Sequence, residues 1–187
     1  MTGGQVELVG LTKRFGSFTA VDSIDLDIPA GEFFSLLGPS GCGKTTTLRM
    51  IAGLELPTSG TILLDGEDVT FERAGRRDIA FVFQMFALYP HMNTRNNIAF
   101  PLKCSGLSRS EIRKRVEETA QLLRIDHLLG KSVSGLAGGD RQRVALGRAL
   151  IRIGRRLQGV NDHSVRKIDA AVPVVTRRKA AHGAARG

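Results

Sequence analysis

Eight consecutive residues carry the plainest chemistry in this 187-residue chain: Gly38, Pro39, Ser40, Gly41, Cys42, Gly43, Lys44 and Thr45. Their order fits G-x-x-x-x-G-K-[ST], the spacing of a loop that holds phosphate groups. Glycines let backbone N–H groups turn inward around an anion, and a helix starting there adds the positive end of its dipole. In such a loop the Lys44 ammonium reaches the β- and γ-phosphates and the Thr45 hydroxyl ligates Mg²⁺. The flanks argue against a chance glycine turn. Phe33-Phe34-Ser35-Leu36-Leu37 reads as a short buried strand, and Thr46 to Ala52 reads as a helix. Strand, glycine loop and helix is the order this chemistry requires.

Other residues are candidates by position. Gln84 closes the apolar run Ile79-Ala80-Phe81-Val82-Phe83. A polar side chain at the C-terminal end of a buried strand is where open α/β sheets hold ligands. Phe15 lies between two expected strands, and stacking on adenine or simple loop packing both remain open. Ser134 to Asp140 leads into a long helical pattern through Gly138 and Gly139, a second helix N-terminus able to meet an anion. The run Met85 to Met92 is apolar and aromatic but broken by Pro90, which suits a docking surface. His91 belongs to that surface, since no Cys or His stands nearby at metal-ligand spacing.

The elements that must position these residues are partly legible. Val6 to Val9 and Val21 to Ile28 alternate as half-exposed antiparallel strands, and Thr61 to Leu64 is a third strand before a turn at Asp65-Gly66. Ser108 to Ile125 is an amphipathic helix with a capping box, Ser108 with Glu111. Its apolar stripe is Ile112, Val116, Ala120, Leu122, Leu123 and Ile125, and its charged face interleaves both signs. The length suits one domain. No apolar run approaches the ~20 residues of a membrane helix. The first residues lack the basic and apolar regions of a secretory signal. Cys42 and Cys104 make no disulfide framework, so a reducing cytosolic setting is expected. The net charge of +9 is uneven: residues 1–151 hold 18 Lys+Arg against 16 Asp+Glu, residues 152–187 hold 9 against 2.

From Val6 to Ile151 the chain resembles the nucleotide-binding domain of an ABC transporter. Gly38–Thr45 stand as its Walker A motif, Phe15 at its adenine-stacking position and Gln84 at its Q-loop. Leu136, Ala137, Gly138, Gly139 and Asp140 stand where the family has Leu-Ser-Gly-Gly-Gln. The resemblance implies an α/β fold of the P-loop NTPase type, with an antiparallel β subdomain and a helical subdomain. It implies ATP and Mg²⁺ as cofactors. Phe15, Val21, Gly38 to Thr45, Thr46 and Gln84 would contact nucleotide, with Thr45 and Gln84 at the Mg²⁺. Leu136 to Asp140 would close over the ATP of a partner ATP-binding subunit, usually a second copy. Phe83-Gln84, Tyr89 to Met92 and Asn97 to Leu102 look like the ATPases of carbohydrate importers, with polyamine and iron importers as near relatives. Ala87, Leu88, Tyr89, Pro90, His91 and Met92 would then seat the membrane-spanning subunits at the cytoplasmic face of the membrane. No nucleic-acid partner is expected.

Two signature positions depart: Ala137 replaces the serine and Asp140 the glutamine. The larger departure follows Ile151, where the family continues to a strand ending in Asp-Glu and then a switch histidine. Here no glutamate occurs after Glu118. His163, Asp162 and Asp169 stand in polar surroundings that match neither role. The expected organisation is a partial nucleotide-binding domain over residues 1–151, lacking its C-terminal part, and a basic, largely disordered segment over 152–187. Three readings of that segment stay open: out-of-frame translation, a real anion-binding tail, and a degenerate terminus. The first fits the abruptness of the change. Losing the catalytic carboxylate predicts negligible hydrolysis, and losing its central strand predicts marginal stability. Val172-Pro173-Val174-Val175 is a poor replacement, because proline cannot donate to a ladder.

Overall fold

The computed structural model describes residues 4–32, 34–77, 79–83, 85–103, 105–153 and 175–177. It divides into two compact units, one holding the chain up to Ile79 together with Arg177, the other running from Ala80 to Thr176.

The first unit is built on an antiparallel sheet in the order β2-β1-β3-β4. Strand β1 (Val6–Phe15) and β2 (Phe18–Ile28) form a hairpin whose register runs from Val6↔Ile28 to Phe15↔Phe18. Strand β3 (Ser59–Leu64) pairs with the other edge of β1, and the short β4 (Glu67–Asp68) pairs with β3. The turn into β4 is Asp65-Gly66, with φ 52° and 78°. Two successive positive φ angles match the twist of the strands they join. Leu8, Leu11, Ile62 and Leu64 are buried from the sheet, with Met50 and Ile51 from helix α1 (Lys44–Ile51).

Arg77 is 1% exposed. It donates to the carbonyls of Met50 (2.7 Å) and Ile51 (3.0 Å) at the end of α1, and to Thr70 (3.0 Å) and Glu72 (2.9 Å). A buried cation thus sits where the helix dipole is negative and four acceptors converge. Burial lowers its pKa, opposed by Glu72 and Asp68.

The second unit is helical. Helices α2 (Thr94–Lys103), α3 (Arg109–Leu122) and α4 (Gly138–Ile153) surround a core of Ile98, Leu102, Val116, Ala120, Val144 and Leu150, among others. The capping box of α3 is formed in both directions, between Ser108 and Glu111. Its charged face carries i,i+4 pairs Arg113–Glu117 and Lys114–Glu118, as a solvated face should. Strand β5 (Ile79–Phe81) and β6 (Val175–Arg177) make a two-stranded sheet.

One expectation is corrected. Residues 34–37 are not a buried strand: Phe34 is 44% and Leu37 90% exposed, and neither belongs to a ladder. A strand exists only through its neighbours, and among the described residues none lies alongside this one. Phe33 lies outside the described residues. In the basic segment beyond Ile153 the described residues are the three of β6, and Val172, Pro173 and Val174 lie outside the described residues. The rest of 154–187 lies outside the described residues.

Candidate phosphate loop and helix-supported docking loop

The glycine loop has the backbone its sequence calls for. Gly38, Gly41 and Gly43 take φ of 156°, 84° and 89°. A Cβ on Gly43 would stand 2.5 Å from the Ala20 carbonyl and 3.1 Å from Val21, and one on Gly38 would stand 2.8 Å from the Cys42 sulfur. Glycine is therefore required by both torsion and space at Gly43, and by torsion at Gly41, where a Cβ would meet nothing within 4 Å. Gly43 is the N-cap of α1, and no side chain caps the helix; Thr47 N–H begins the intrahelical bonding, to the Gly43 carbonyl at 2.8 Å. The preceding helix amides are left to an anion.

Lys44 stands over the same loop. Its ammonium donates to the carbonyls of Gly38 (2.7 Å) and Pro39 (2.6 Å) and to Cys42 Sγ (3.3 Å). Cys42 is exposed, as is Thr45. Val21 is buried in β2 and touches the loop through Gly43, which places this candidate beside the phosphate cradle. Phe15 ends β1 with its ring 48% exposed, and the Lys13 ammonium lies 4.8 Å from the ring centroid. Lys13 is itself held by Glu55 (2.7 Å) and the Leu56 carbonyl (2.7 Å). The ring is thus presented rather than packed away. Val21 lies three residues along β2 from the hairpin tip, roughly 10 Å.

The loop fits a triphosphate: a cradle a Cβ would fill, uncapped amides, and a lysine ammonium above them. For Mg²⁺ the described residues offer the Thr45 hydroxyl. Gln84, the other candidate ligand, lies outside the described residues.

In the second unit, Leu136 is buried in the core while Ala137, Gly138 and Gly139 are exposed. A Cβ on either glycine would meet nothing within 4 Å, so this face is open. The Ala137 carbonyl accepts from Arg141 N–H (3.0 Å), the position of a cap residue, but its methyl offers the amides no acceptor. Asp140 stands in the first turn of α4, 3.7 Å from Arg143.

The 85–92 loop is held from two helices, by Asn97, which the sequence marked only as part of the Asn97 to Leu102 run, and by Arg148, which it did not mark. Asn97 of α2, fully buried, accepts from Tyr89 N–H (2.8 Å) and donates to the carbonyls of Tyr89 (3.1 Å), Met92 (3.2 Å) and Asn93 (3.2 Å). Arg148 of α4 donates to the carbonyls of Ala87 (2.8 Å) and Phe86 (3.1 Å) and lies 5.2 Å from the Tyr89 ring. Burial lowers its pKa, opposed by Tyr89. Leu88 packs on the core, Ala87, Pro90 and His91 are exposed, and Tyr89 stacks on Phe100 at 4.6 Å. A mid-helix Arg close to Ala145 and Ala149 was the available signal for the clamp.

The ABC transporter family profile matches residues 21–155. The chain is 52% identical over 146 residues to the "Fe(3+) ions import ATP-binding protein FbpC" of Escherichia coli O157:H7, covering 78% of this chain and 42% of that protein. It is 52% identical over 152 residues to the "Spermidine/putrescine import ATP-binding protein PotA" of Nitrosomonas europaea, covering 81% and 42%. The chain therefore spans about two fifths of the length of these curated relatives. Among solved structures it is similar to a dimeric bacterial ABC transporter cassette, MJ0796 (TM-score 0.72, 34% identity, 79% of this chain, 69% of that one). It is similar as well to a dimeric post-hydrolysis state of that cassette bound to ADP and Pi (TM-score 0.72, 32% identity, 87% and 79%).

Proposed function

Because this chain belongs to the ABC transporter family, we propose that it is an ATP-binding subunit of an importer, binding Mg-ATP at Gly38–Thr45 and hydrolysing it negligibly. One observation carries the reading: three glycines at positive φ lead into the uncapped start of α1, with the Lys44 ammonium over the loop. Phe15 and Val21 border the nucleotide on its base side. The negligible hydrolysis rests on the departure after Ile151, where no apolar run ends in the Asp-Glu pair that would position the attacking water. Loss of such a base costs about 10²–10⁴ in rate. Domain limits follow the same reading, with the nucleotide-binding part ending near Ile151.

The relatives import ferric ion or spermidine and putrescine, and we assign the importer to that group. The carbohydrate subtype has no such support. The run from Phe83 to Leu102 then marks importers more broadly. Membrane-spanning subunits dock on Ala87–Met92, which places the chain peripherally at the cytoplasmic face. Among the described residues no helix is long and apolar enough to cross a membrane.

Calorimetry of Mg-ATP binding tests the core of this. Wild type binds and Lys44→Ala weakens binding at least tenfold; equal affinity of the two overturns the reading. ATP turnover at an ordinary rate, abolished by Lys44→Ala, overturns the claim of negligible hydrolysis.

The excess of seven positive charges in 152–187 favours a second reading, a non-catalytic fragment whose basic segment binds an anionic partner. Binding to anionic vesicles or nucleic acid that falls steeply with salt, and is lost on deleting 152–187, selects it.

A further inference from the structure

The geometry points to Arg148 as a positioning residue that holds the 85–92 loop in its docking shape, so that α4 carries the signature at its N-terminus and the loop clamp about 15 Å further along its axis. This rests on the docking reading of Ala87–Met92.

Phe86 and Ala87 take φ of 62° and 45° in succession. Neither is glycine, and the left-handed region is disfavoured for both. Local bonding is slight: Phe86 N–H reaches the Phe83 carbonyl (2.8 Å) and Ala87 N–H the Met85 carbonyl (2.7 Å). The backbone is held there from outside. Arg148 places one guanidinium nitrogen on each of the two strained residues' carbonyls, and the plane lies by the Tyr89 ring. Tyr89 is in turn fixed by Asn97. Arg148 emerges from α4 between Ala145 and Ala149, which pack under Ala80 and Val82. An arginine is costly in such a place unless its donors find partners, and these two carbonyls take one N–H from each terminal nitrogen. The planar guanidinium bonds both carbonyls through two nitrogens while its plane lies by the Tyr89 ring, a combination that a lysine ammonium does not reproduce.

Amide hydrogen exchange on the full chain tests the clamp. In Arg148→Met, exchange at Phe86, Ala87 and Tyr89 rises about tenfold or more by local opening, while Val116 and Ala120 in α3 stay protected. Arg148→Lys does not restore protection. In an Ala87→Gly background the effect of Arg148→Met shrinks, because glycine takes positive φ freely. Unchanged exchange at 86–89, or an equal effect with and without Ala87→Gly, overturns the proposal. Should Arg148→Met lose α3 protection, Tyr89→Leu, which removes the ring beside the guanidinium, carries the same test. A second arm uses detergent-solubilised membrane subunits of a ferric-ion or polyamine importer. Wild type is captured, and Arg148→Met and Arg148→Lys lose at least tenfold. Failure of wild-type capture beside the expected exchange pattern overturns the docking reading and leaves the clamp standing. Normal capture of both variants overturns the positioning role.

Discussion

Gly43 shows how one residue can serve fold and ligand together. Its φ of 89°, and an Ala20 carbonyl only 2.5 Å from where a Cβ would stand, leave no room for a side chain. Gly43→Ala adds left-handed strain of about 1–2 kcal/mol and a backbone clash. The expected result is a thermal midpoint lowered by roughly 4–10 °C by calorimetry, with Mg-ATP binding lost. Lys44→Ala, in contrast, loses binding with little change in midpoint, since the ammonium rests on exposed carbonyls. Asp68 is a different kind of residue-scale device. Its carboxylate accepts from the Thr70 hydroxyl (2.6 Å) and Thr70 N–H (2.9 Å), and Thr70 Oγ1 accepts from Ile62 N–H (2.9 Å). These Thr70 bonds, side chain first, hold the Asp68 carboxyl below its ordinary pKa. A lowered folded value means that its stabilisation is complete above about pH 4 and is lost as pH falls through the folded pKa. Asp68→Asn should flatten the acid limb of a urea-midpoint profile below that pH and leave the neutral region nearly parallel to wild type.

At the scale of elements, Arg77 ties α1 to the segment between β4 and β5. Arg77→Met removes the donor shared by these four carbonyls, of which that of Met50 keeps a backbone donor, Gly53 N–H, and a loss of about 3–5 kcal/mol is expected, read as a drop in urea midpoint. Its partners Met50 and Ile51 lie 27 and 26 residues away, so nothing in local sequence announces the bond. Separation along the chain likewise divides what was legible from what was not. Helix α3 is readable because its capping box and apolar stripe are local. The Asp65-Gly66 turn and the glycines of the phosphate loop are readable because each needs a torsion that few residues supply. Phe34–Leu37 misleads because apolar composition marks a strand only when ladder partners exist, and those come from remote segments. The clamp by Arg148 spans 61 and 62 residues and appears only once α4 is placed. Asn97 sits only 8 residues from Tyr89, yet a helical asparagine reads as a solvated polar residue until its burial is known.

For the whole molecule the question is association. On the proposed reading the signature would close over the nucleotide of a partner, and the face concerned, Ala137 to Gly139, is exposed and open. Two features oppose closure. Ala137 lacks the hydroxyl that would donate to a γ-phosphate, and Asp140 brings a carboxylate to the same helix turn. The Arg143 guanidinium, 3.7 Å from Asp140, offsets that charge only in part, because both side chains are about a third exposed and solvent screens the pair. The chain is therefore expected to stay monomeric in saturating Mg-ATP at concentrations where sedimentation velocity resolves monomer from dimer. Ala137→Ser with Asp140→Gln restores one hydrogen bond to a charged group, contributing about 1.5–3 kcal/mol, and removes the repulsion. Because the bond recurs at both nucleotides of a symmetric dimer, dimerisation should strengthen by roughly 10²–10⁴-fold in Mg-ATP, and not in nucleotide-free buffer. Without nucleotide, Ala137→Ser supplies the cap acceptor that the methyl lacks while Asp140→Gln removes a carboxylate favoured in the first turn of α4, so their effects on the thermal midpoint oppose one another. A dimer that strengthens equally with and without ATP would mean that the face is simply sticky, and one that does not strengthen at all would mean that closure fails for want of the segment expected after Ile151.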